Sequence, residues 1–254
     1  MDTINAADTV WVLVSAALVL LMTPGLALFY GGMVRSKSAL NMIMMSFTAL
    51  GVVSLVWATV CYFLALATDS GWGLIGDLRE FGLTGTTDMV VGPPGHHIPL
   101  LAFAMFQLAF AIVTTALLSG AIADRTKYLA WIVFAAAWCL LVYVPAAHWA
   151  FALQGGSGGW ISDRLGALDF AGGTAVEINS GASALALALV VGRRIGFRKD
   201  PMRPHSLPFV LLGAGLLWFG WFGFNAGSAL AVNGVAATAM INTQIATAVA
   251  ALSW

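Results

Sequence analysis

Charged residues are what this sequence has least of. Only 9% of its 254 residues are charged, whereas 60% are hydrophobic, and a soluble globular domain would have about a quarter charged residues. This scarcity excludes an ordinary soluble domain. The formal net charge of zero gives no indication of a nucleic-acid partner. Long, nearly uncharged runs alternate with short charged or Gly/Pro-rich breaks, which predicts an all-α, polytopic helical membrane protein.

Other absences exclude further classes. The first ten residues, MDTINAADTV, lack the basic region of a cleaved signal peptide. The hydrophobic runs lack the alternation of a transmembrane β-barrel. A seven-helix retinal protein needs a lysine in its last span for the Schiff base, and residues 204–254 contain none. Because no Ser–His or paired-Asp arrangement occurs at matched depth, we predict neither catalytic residues nor an enzyme.

Cysteine and histidine are also too sparse to indicate a metal or cofactor site. The two cysteines, Cys61 and Cys139, fall within hydrophobic runs, where they are better read as small buried hydrophobic residues than as a disulfide or a metal pair. His96 and His97 are adjacent in a loop, and adjacent side chains point apart on regular structure. We therefore expect no metal and no cofactor.

Seven hydrophobic runs have the length that a membrane-spanning helix requires, which is about 20 residues. They cover residues 9–33, 40–67, 99–122, 128–151, 168–192, 206–228 and 234–254. Nine of the eleven basic residues follow spans one, three and five, and only Arg79 and Arg164 lie on the opposite side. By the positive-inside rule the N-terminus is outside, and we predict a multi-pass protein of the cell (plasma or inner) membrane, in contact with the lipid bilayer.

The end of the sequence differs from the rest of this pattern. After Arg203 no Asp, Glu, Lys or Arg occurs before Trp254, so span seven lacks the basic flank that spans one, three and five have. This pattern predicts that the chain is the N-terminal portion of a longer protein.

Two acids occur within span five, in the stretch ALDFAGGTAVEIN. Asp169, at the start of the span, is placed to cap the helix by accepting its free N–H groups. Glu177 lies eight residues further on, about 12 Å deeper at the rise of an α-helix. Because an ionisable residue at that depth normally faces a bundle interior or a pathway, Glu177 is a candidate functional residue.

Aromatic residues cluster in two other spans. Span six contains LWFGWFGFNAGSA, in which Gly223 and Gly227 have the spacing of close helix packing. Span three contains FAMFQLAF, in which Phe103, Phe106 and Phe110 recur at helical spacing. Aromatic residues at this spacing often only pack in a protein core or lie in the aromatic belt at the membrane interface. With Asn225 and Ser228 nearby, however, they favour a cavity that holds a small cation by cation–π attraction and one hydrogen bond.

Four segments resemble the ammonium transporter family (Amt/Mep/Rh): PGLALFYGGMVRSKSALNMIM, ALDFAGGTAVEIN, RPHSLP and GWFGFNAGSA. The resemblance covers essentially the whole chain. It implies a fold of eleven transmembrane helices, with the N-terminus outside, in homotrimers, each subunit having its own pore between two inverted five-helix repeats. Residues 1–254 would then form one ammonium transporter domain, with residues 1–194 as the first repeat and residues 206–254 as the first two helices of the second.

The resemblance also implies a function, which is ammonium or ammonia transport for nitrogen uptake. An outer recruitment site for ammonium would be formed by Phe106, Phe110, the aromatic residue near the end of span four, which is Phe151, and Ser228. A PII-type regulatory protein on the cytoplasmic side would be a partner of the longer form.

Further roles follow from the same resemblance. Phe110 and Phe224 would stack as a gate below the recruitment site, Trp221 would line the vestibule, and Asp169 would support the site from the start of span five. Deeper in the pore, the family has a pair of histidines, and the first of these positions is Glu177 in this sequence.

Two departures from the family pattern bear on function. Phe151 stands where the family usually has Trp, and Phe offers a weaker cation–π face. Glu177 replaces the first pore histidine, as in some fungal members, and is expected to accept a hydrogen bond along the conduction path. An alternative function is an ammonium-sensing receptor domain of a signalling protein, because some relatives use the same fold in that way.

Overall fold

Seven long helices make up most of the part of the chain that the structure describes. The computed structural model describes residues 3–78, 82–152 and 158–254; Arg79, used above to predict orientation, lies outside them. All seven helices are long and apolar enough to cross a membrane, which confirms the seven predicted spans. They are α1 (Ala6–Met33), α2 (Ser36–Leu66), α3 (Leu100–Ala121), α4 (Tyr128–Phe151), α5 (Gly173–Val191), α6 (Leu207–Gly227) and α7 (Gly234–Ser253). We call the end of the molecule at which α1 begins its outer face.

Polar residues fix where several helices begin. The Asn5 side chain accepts a hydrogen bond from the Asp8 N–H at the start of α1. Asn233 does the same for two N–H groups of α7. Such caps satisfy backbone donors that have no partner inside the helix. On the outer face, β1 (Val90–Val91) and β2 (Ile98–Pro99) form a short antiparallel hairpin that leads directly into α3.

Several helices contain π-helical turns, in which hydrogen bonds join residues five apart. These turns lie at Trp57–Cys61 in α2, at Cys139–Tyr143 in α4 and at Gly173–Ile178, which opens α5. The first two bring Cys61 and Cys139 into the main core, where both are fully buried. Their burial agrees with the interpretation of the cysteines as small hydrophobic core residues.

Helix α1 packs against α6, α3 and α2. Its contact with α6 is close because glycines line that face of α6. A Cβ atom added at Gly223 would lie 2.6 Å from the Leu18 Cβ, and one added at Gly227 would lie 2.5 Å from the Ser15 Cβ. This geometry explains the Gly223-to-Gly227 spacing in the sequence and places the end of α6 against α1 and α3.

Helices α5 and α7 lie at the edge of the fold. Of α7, only Ala236 and Thr243 are buried among the described residues, and large apolar side chains such as Leu189, Ile241 and Val249 are exposed. Glu177 is exposed on α5. Helices α1 to α4 therefore form the packed body of the molecule, and α5 to α7 flank it.

Candidate functional site

A cavity of about 210 Å³ lies at the outer face where α3, the end of α4, the start of α5 and the end of α6 meet. We call it the outer cavity. It brings together six of the residues singled out in the sequence, together with further apolar and polar neighbours. Its lining consists of Phe103, Phe106, Gln107, Phe110, Ala150, Phe151, Leu168, Asp169, Phe170, Ser228 and Leu230.

Two phenylalanine rings from different helices stack beside this cavity. The rings of Phe110 and Phe224 lie 4.2 Å apart with an interplanar angle of 18°, and both side chains are buried. Phe106 contacts Phe110 at 4.8 Å in a tilted arrangement. Stacked rings at this distance leave no room for a molecule between them, and one of the two, Phe110, lines the cavity.

Ser228 supplies a hydroxyl at the end of α6. Its hydroxyl donates a hydrogen bond of 2.7 Å to the Phe224 carbonyl oxygen one turn earlier. The single O–H donor is therefore occupied, while the oxygen retains lone pairs with which it can accept a hydrogen bond. In a cavity lined mainly by aromatic rings, this acceptor suits a ligand that donates hydrogen bonds.

Trp149 and Trp221 do not line the outer cavity. Trp149, which precedes the expected aromatic position of α4 by two residues, donates its indole N–H to the Leu74 carbonyl and packs against Trp160. Phe151 lines the cavity in its place. Trp221 contacts the Phe224 ring at 5.5 Å, nearly one turn before Phe224 along α6. The structure therefore does not place Trp221 with the outer-cavity residues.

Asp169 binds the backbone at the start of α5. One carboxylate oxygen accepts the Gly172 N–H at 2.6 Å, and the other accepts the N–H groups of Thr174 and Ala175, both at 2.9 Å. Gly172 has a φ of +96°, which favours glycine. Both oxygens of Asp169 are thus engaged by the helix start, which is the geometry of a cap.

A larger and more open cavity, of about 750 Å³, lies between the start of α5 and helices α6 and α7. Asp169 and Asn225 both line it, and the Asn225 amide donates to the Thr243 hydroxyl at 2.9 Å. Glu177 does not line either cavity. Glu177 lies about one turn after Gly173, at which α5 begins, and its side chain is exposed. The structure therefore separates it from the outer-cavity residues.

The sequence did not indicate one polar cluster near this site. His148, fully buried in α4, contacts the Ala65 carbonyl oxygen and the Asp69 carboxylate, and Arg164 pairs with the same carboxylate at 3.1 Å. Burial alone raises the pKa of Asp69, but hydrogen bonds from the Gly73 N–H and from His148 outweigh it, so the pKa lies below its ordinary value. These residues are 79 and 95 positions from Asp69, and no local sequence signal links them.

Comparisons with known proteins indicate the family of this chain. The model of the Ammonium Transporter Family matches residues 10–254. The ammonium transporter of Mycobacterium tuberculosis H37Rv is 54% identical, over 98% of this chain and 56% of its own length. That of Aquifex aeolicus is 50% identical, over 99% of this chain and 57% of its own. The chain therefore spans little more than half the length of these relatives.

Solved structures show the same fold. Candida albicans Mep2 superposes with a TM-score of 0.86 at 36% identity, over 99% of this chain and 54% of the Mep2 chain. A sensor Amt protein superposes with a TM-score of 0.86 at 30% identity, over 97% of this chain and 60% of that protein. The seven helices thus match about half of the Amt/Mep fold.

Proposed function

Since the chain belongs to the ammonium transporter family and is a multi-pass membrane protein, we propose that it recruits ammonium at the outer cavity and forms part of an ammonia-conducting pore. The observation on which this proposal depends is the outer cavity itself. Five phenylalanine side chains and one free hydroxyl acceptor line it, and one of the five, Phe110, stacks on Phe224.

The chemistry of the outer cavity favours a small cation that donates hydrogen bonds. The ring faces of Phe106, Phe110 and Phe151 offer cation–π attraction of about 0.5–2 kcal/mol each, depending on desolvation. The Ser228 oxygen accepts one hydrogen bond. The Asp169 carboxylate is engaged by three backbone N–H groups, so it supports the site from the helix start. Potassium ions donate no hydrogen bond, so a hydrogen bond to the Ser228 oxygen favours ammonium over potassium.

We propose that a molecule leaving the outer cavity passes between Phe110 and Phe224. This pair acts as a gate, because the stacked rings must separate before a molecule can pass. Trp221 lies on the inner side of this pair. Further along, Glu177 lines the conduction path and accepts a hydrogen bond from the passing species or from a second pore residue. Its exposed position on α5 supports this role, because it leaves the carboxylate free to face residues that complete the pore.

Assembly and partners are proposed at the level of the longer protein. In the proposal, the pore lies between two inverted repeats, with residues 1–194 in the first and residues 206–254 in the second. The longer protein forms a homotrimer and binds a PII-type regulatory protein at its cytoplasmic face. The likeness to about half of the Mep2 fold supports the use of these family features.

A second candidate function is ammonium sensing. The likeness to a sensor Amt protein favours it, and the outer cavity would then bind ammonium without supporting flux. A sensor needs the recruitment site but not an opening gate. Ligand binding without uptake is the result that distinguishes this candidate from transport.

The proposal can be tested in a chimera in which this chain replaces the matched part of the Mycobacterium tuberculosis relative. Cells that lack their own ammonium uptake should accumulate labelled methylammonium when they express the chimera, and unlabelled ammonium should compete whereas potassium should not. Expression of the chimera in the membrane with no uptake above empty cells would contradict transport. Retained binding of methylammonium in that case would favour the sensor.

A further inference from the structure

Asp8 is an acid buried in the first turns of α1, with only 3% of its side chain exposed. A buried carboxylate is costly unless hydrogen bonds or charges satisfy it. Here one oxygen accepts the Val232 N–H at 2.7 Å, and the other lies 2.7 Å from the His96 Nδ1. The start of α1 also favours a negative charge, because free N–H groups point towards it.

Val232 belongs to the turn that joins α6 to α7, and that turn is part of the outer cavity. It begins at Ser228 and passes through Leu230, whose φ of +54° is in the left-handed region. Both residues line the outer cavity. A leucine with positive φ is unfavourable by itself, and the Leu230 N–H donates to the Gly227 carbonyl oxygen at 2.9 Å within the turn. The bond from the Val232 N–H to Asp8 adds a contact that holds the turn from outside.

His96 belongs to the loop that leads into α3 on the other side of the cavity. The Asn5 side chain donates to the Gly95 carbonyl at 3.0 Å, and the Asn5 N–H donates to the His97 carbonyl at 2.8 Å. From this loop, β2 leads directly into α3, which provides Phe103 and Phe106. The start of α1 is therefore bound both to the turn that lines the outer cavity and to the loop that leads into α3.

A further cavity of about 300 Å³ lies between these two elements, lined in part by His96, Phe103, Leu230 and Asn233. Phe103 and Leu230 line the outer cavity as well. The open space beside the turn means that packing alone does not fix its position. The Asp8 carboxylate bonds both to the turn that joins α6 to α7 and to the loop that leads into α3.

We propose that Asp8 is a positioning residue for the outer cavity: by bonding to Val232 and His96, it holds the turn that presents the Ser228 acceptor against the phenylalanines of α3. The role in ligand recruitment depends on the proposed function, whereas the role in holding the turn does not. Asp8 itself does not line the outer cavity, so it acts through Ser228 and Leu230.

The first test measures hydrogen–deuterium exchange of the full chain in lipid nanodiscs. Asp8→Ala should raise the exchange rate of the amides in residues 228–233 about tenfold, the effect of losing one hydrogen bond. Asp8→Asn retains an oxygen for the Val232 N–H and should give a smaller increase. Asp88→Asn, which changes an exposed acid in the same outer loop region, is the matched control and should leave these amides unchanged. Unchanged exchange in Asp8→Asn and Asp8→Ala would overturn the proposal.

The second test uses the uptake chimera described above and separates positioning from general structural support. Asp8→Asn should raise the half-saturating methylammonium concentration about threefold to tenfold, with a maximal rate per molecule within about twofold of the parent. If Asp8 only supports the fold, Asp8→Asn should lower the amount of folded protein without changing the half-saturating concentration. That result would overturn the proposal. If the parent chimera does not transport, the proposed function fails, and the exchange measurement alone decides whether Asp8 holds the turn.

Discussion

At the scale of single residues, the two acids of the fifth predicted span, Asp169 and Glu177, lie in different environments. Asp169 has both oxygens engaged by backbone N–H groups, so replacing it would remove support from the start of α5. Glu177 is exposed on α5, and in the proposed function its carboxylate faces the conduction path. The two residues therefore call for different experiments.

The Glu177→Gln variant tests whether Glu177 lines the conduction path. Glutamine keeps the shape and hydrogen-bonding capacity of the side chain but has no charge at any pH. In the uptake chimera we expect the variant to fold normally and to lose most of the pH dependence of uptake, while Asp200→Asn, at an exposed acid after α5, should leave that dependence unchanged. If Glu177→Gln changes the melting temperature but not the pH profile, Glu177 is a structural acid.

The Asp69 carboxylate supports a prediction about acid stability. Because its pKa in the fold is lowered from 3.8, Asp69 contributes stability that is present above that value and is lost as the pH falls through the lower, folded pKa. The melting temperature in detergent should therefore fall more steeply between about pH 5 and pH 3 for the parent than for Asp69→Asn. Asp88→Asn should follow the parent. If the melting temperature falls equally steeply with pH for the parent and for Asp69→Asn, the lowered pKa assigned to Asp69 is wrong.

Residue roles were predictable from sequence where the chemistry is local. Asp169 precedes its backbone partners by three to six positions, so a helix start was enough to indicate a cap. The contacts of Asp69 with His148 and of Asp8 with Val232 join residues 79 and 224 positions apart. No periodicity or motif in one sequence encodes such pairs.

At the scale of elements, the crossing of α1 and α6 depends on glycine. A Cβ atom added at Gly220 would lie 2.3 Å from the Met22 Cγ, and one at Gly223 would lie 2.7 Å from the Ser15 carbonyl oxygen. These distances are too short for unstrained contacts. The crossing in turn places Phe224 and Ser228 against α3, so the glycines position the site without touching it.

A glycine-to-alanine pair on α6 measures this dependence. Gly223→Ala should destabilise the protein by about 1–3 kcal/mol, the usual cost of overpacking a close contact, and lower the melting temperature in detergent. Gly215→Ala on the same helix has nothing within 4 Å of the added Cβ and should be neutral or slightly stabilising. Equal effects of the two substitutions would mean that helix propensity, and not the crossing, decides the result.

The seven helices could be predicted from hydropathy because crossing a bilayer imposes a length on every span. The edges differ by at most five residues, the largest difference being at the start of α5. There the sequence pattern continues through Asp169 to Gly172, which the structure uses as a capping turn. The β1–β2 hairpin and the π-helical turns were not predicted. A π-helical turn adds a single residue to a helix, which leaves the hydrophobic pattern of that helix unchanged.

At the scale of the whole molecule, the outer cavity is assembled from segments far apart in sequence. Phe106 and Phe110 come from α3, Phe151 from the end of α4 and Ser228 from the end of α6. Composition and spacing indicated a cation site only in outline, and the resemblance to the family indicated which residues meet. The structure adds the distance and angle between the rings of Phe110 and Phe224, whose stacking the resemblance implied, and the engagement of the Ser228 donor.

The most direct test of the outer cavity as an ammonium recruitment site is the concentration dependence of methylammonium uptake by the chimera carrying Ser228→Ala together with Phe151→Leu. The double variant loses a hydrogen bond to a charged ligand and a cation–π contact, worth about 1.5–3 and 0.5–2 kcal/mol respectively. We expect the half-saturating concentration to rise at least about tenfold, with uptake recovering at high methylammonium. Phe197→Leu, at an exposed phenylalanine after α5, should behave as the parent. A loss of rate that is equal at all concentrations would contradict recruitment at this cavity.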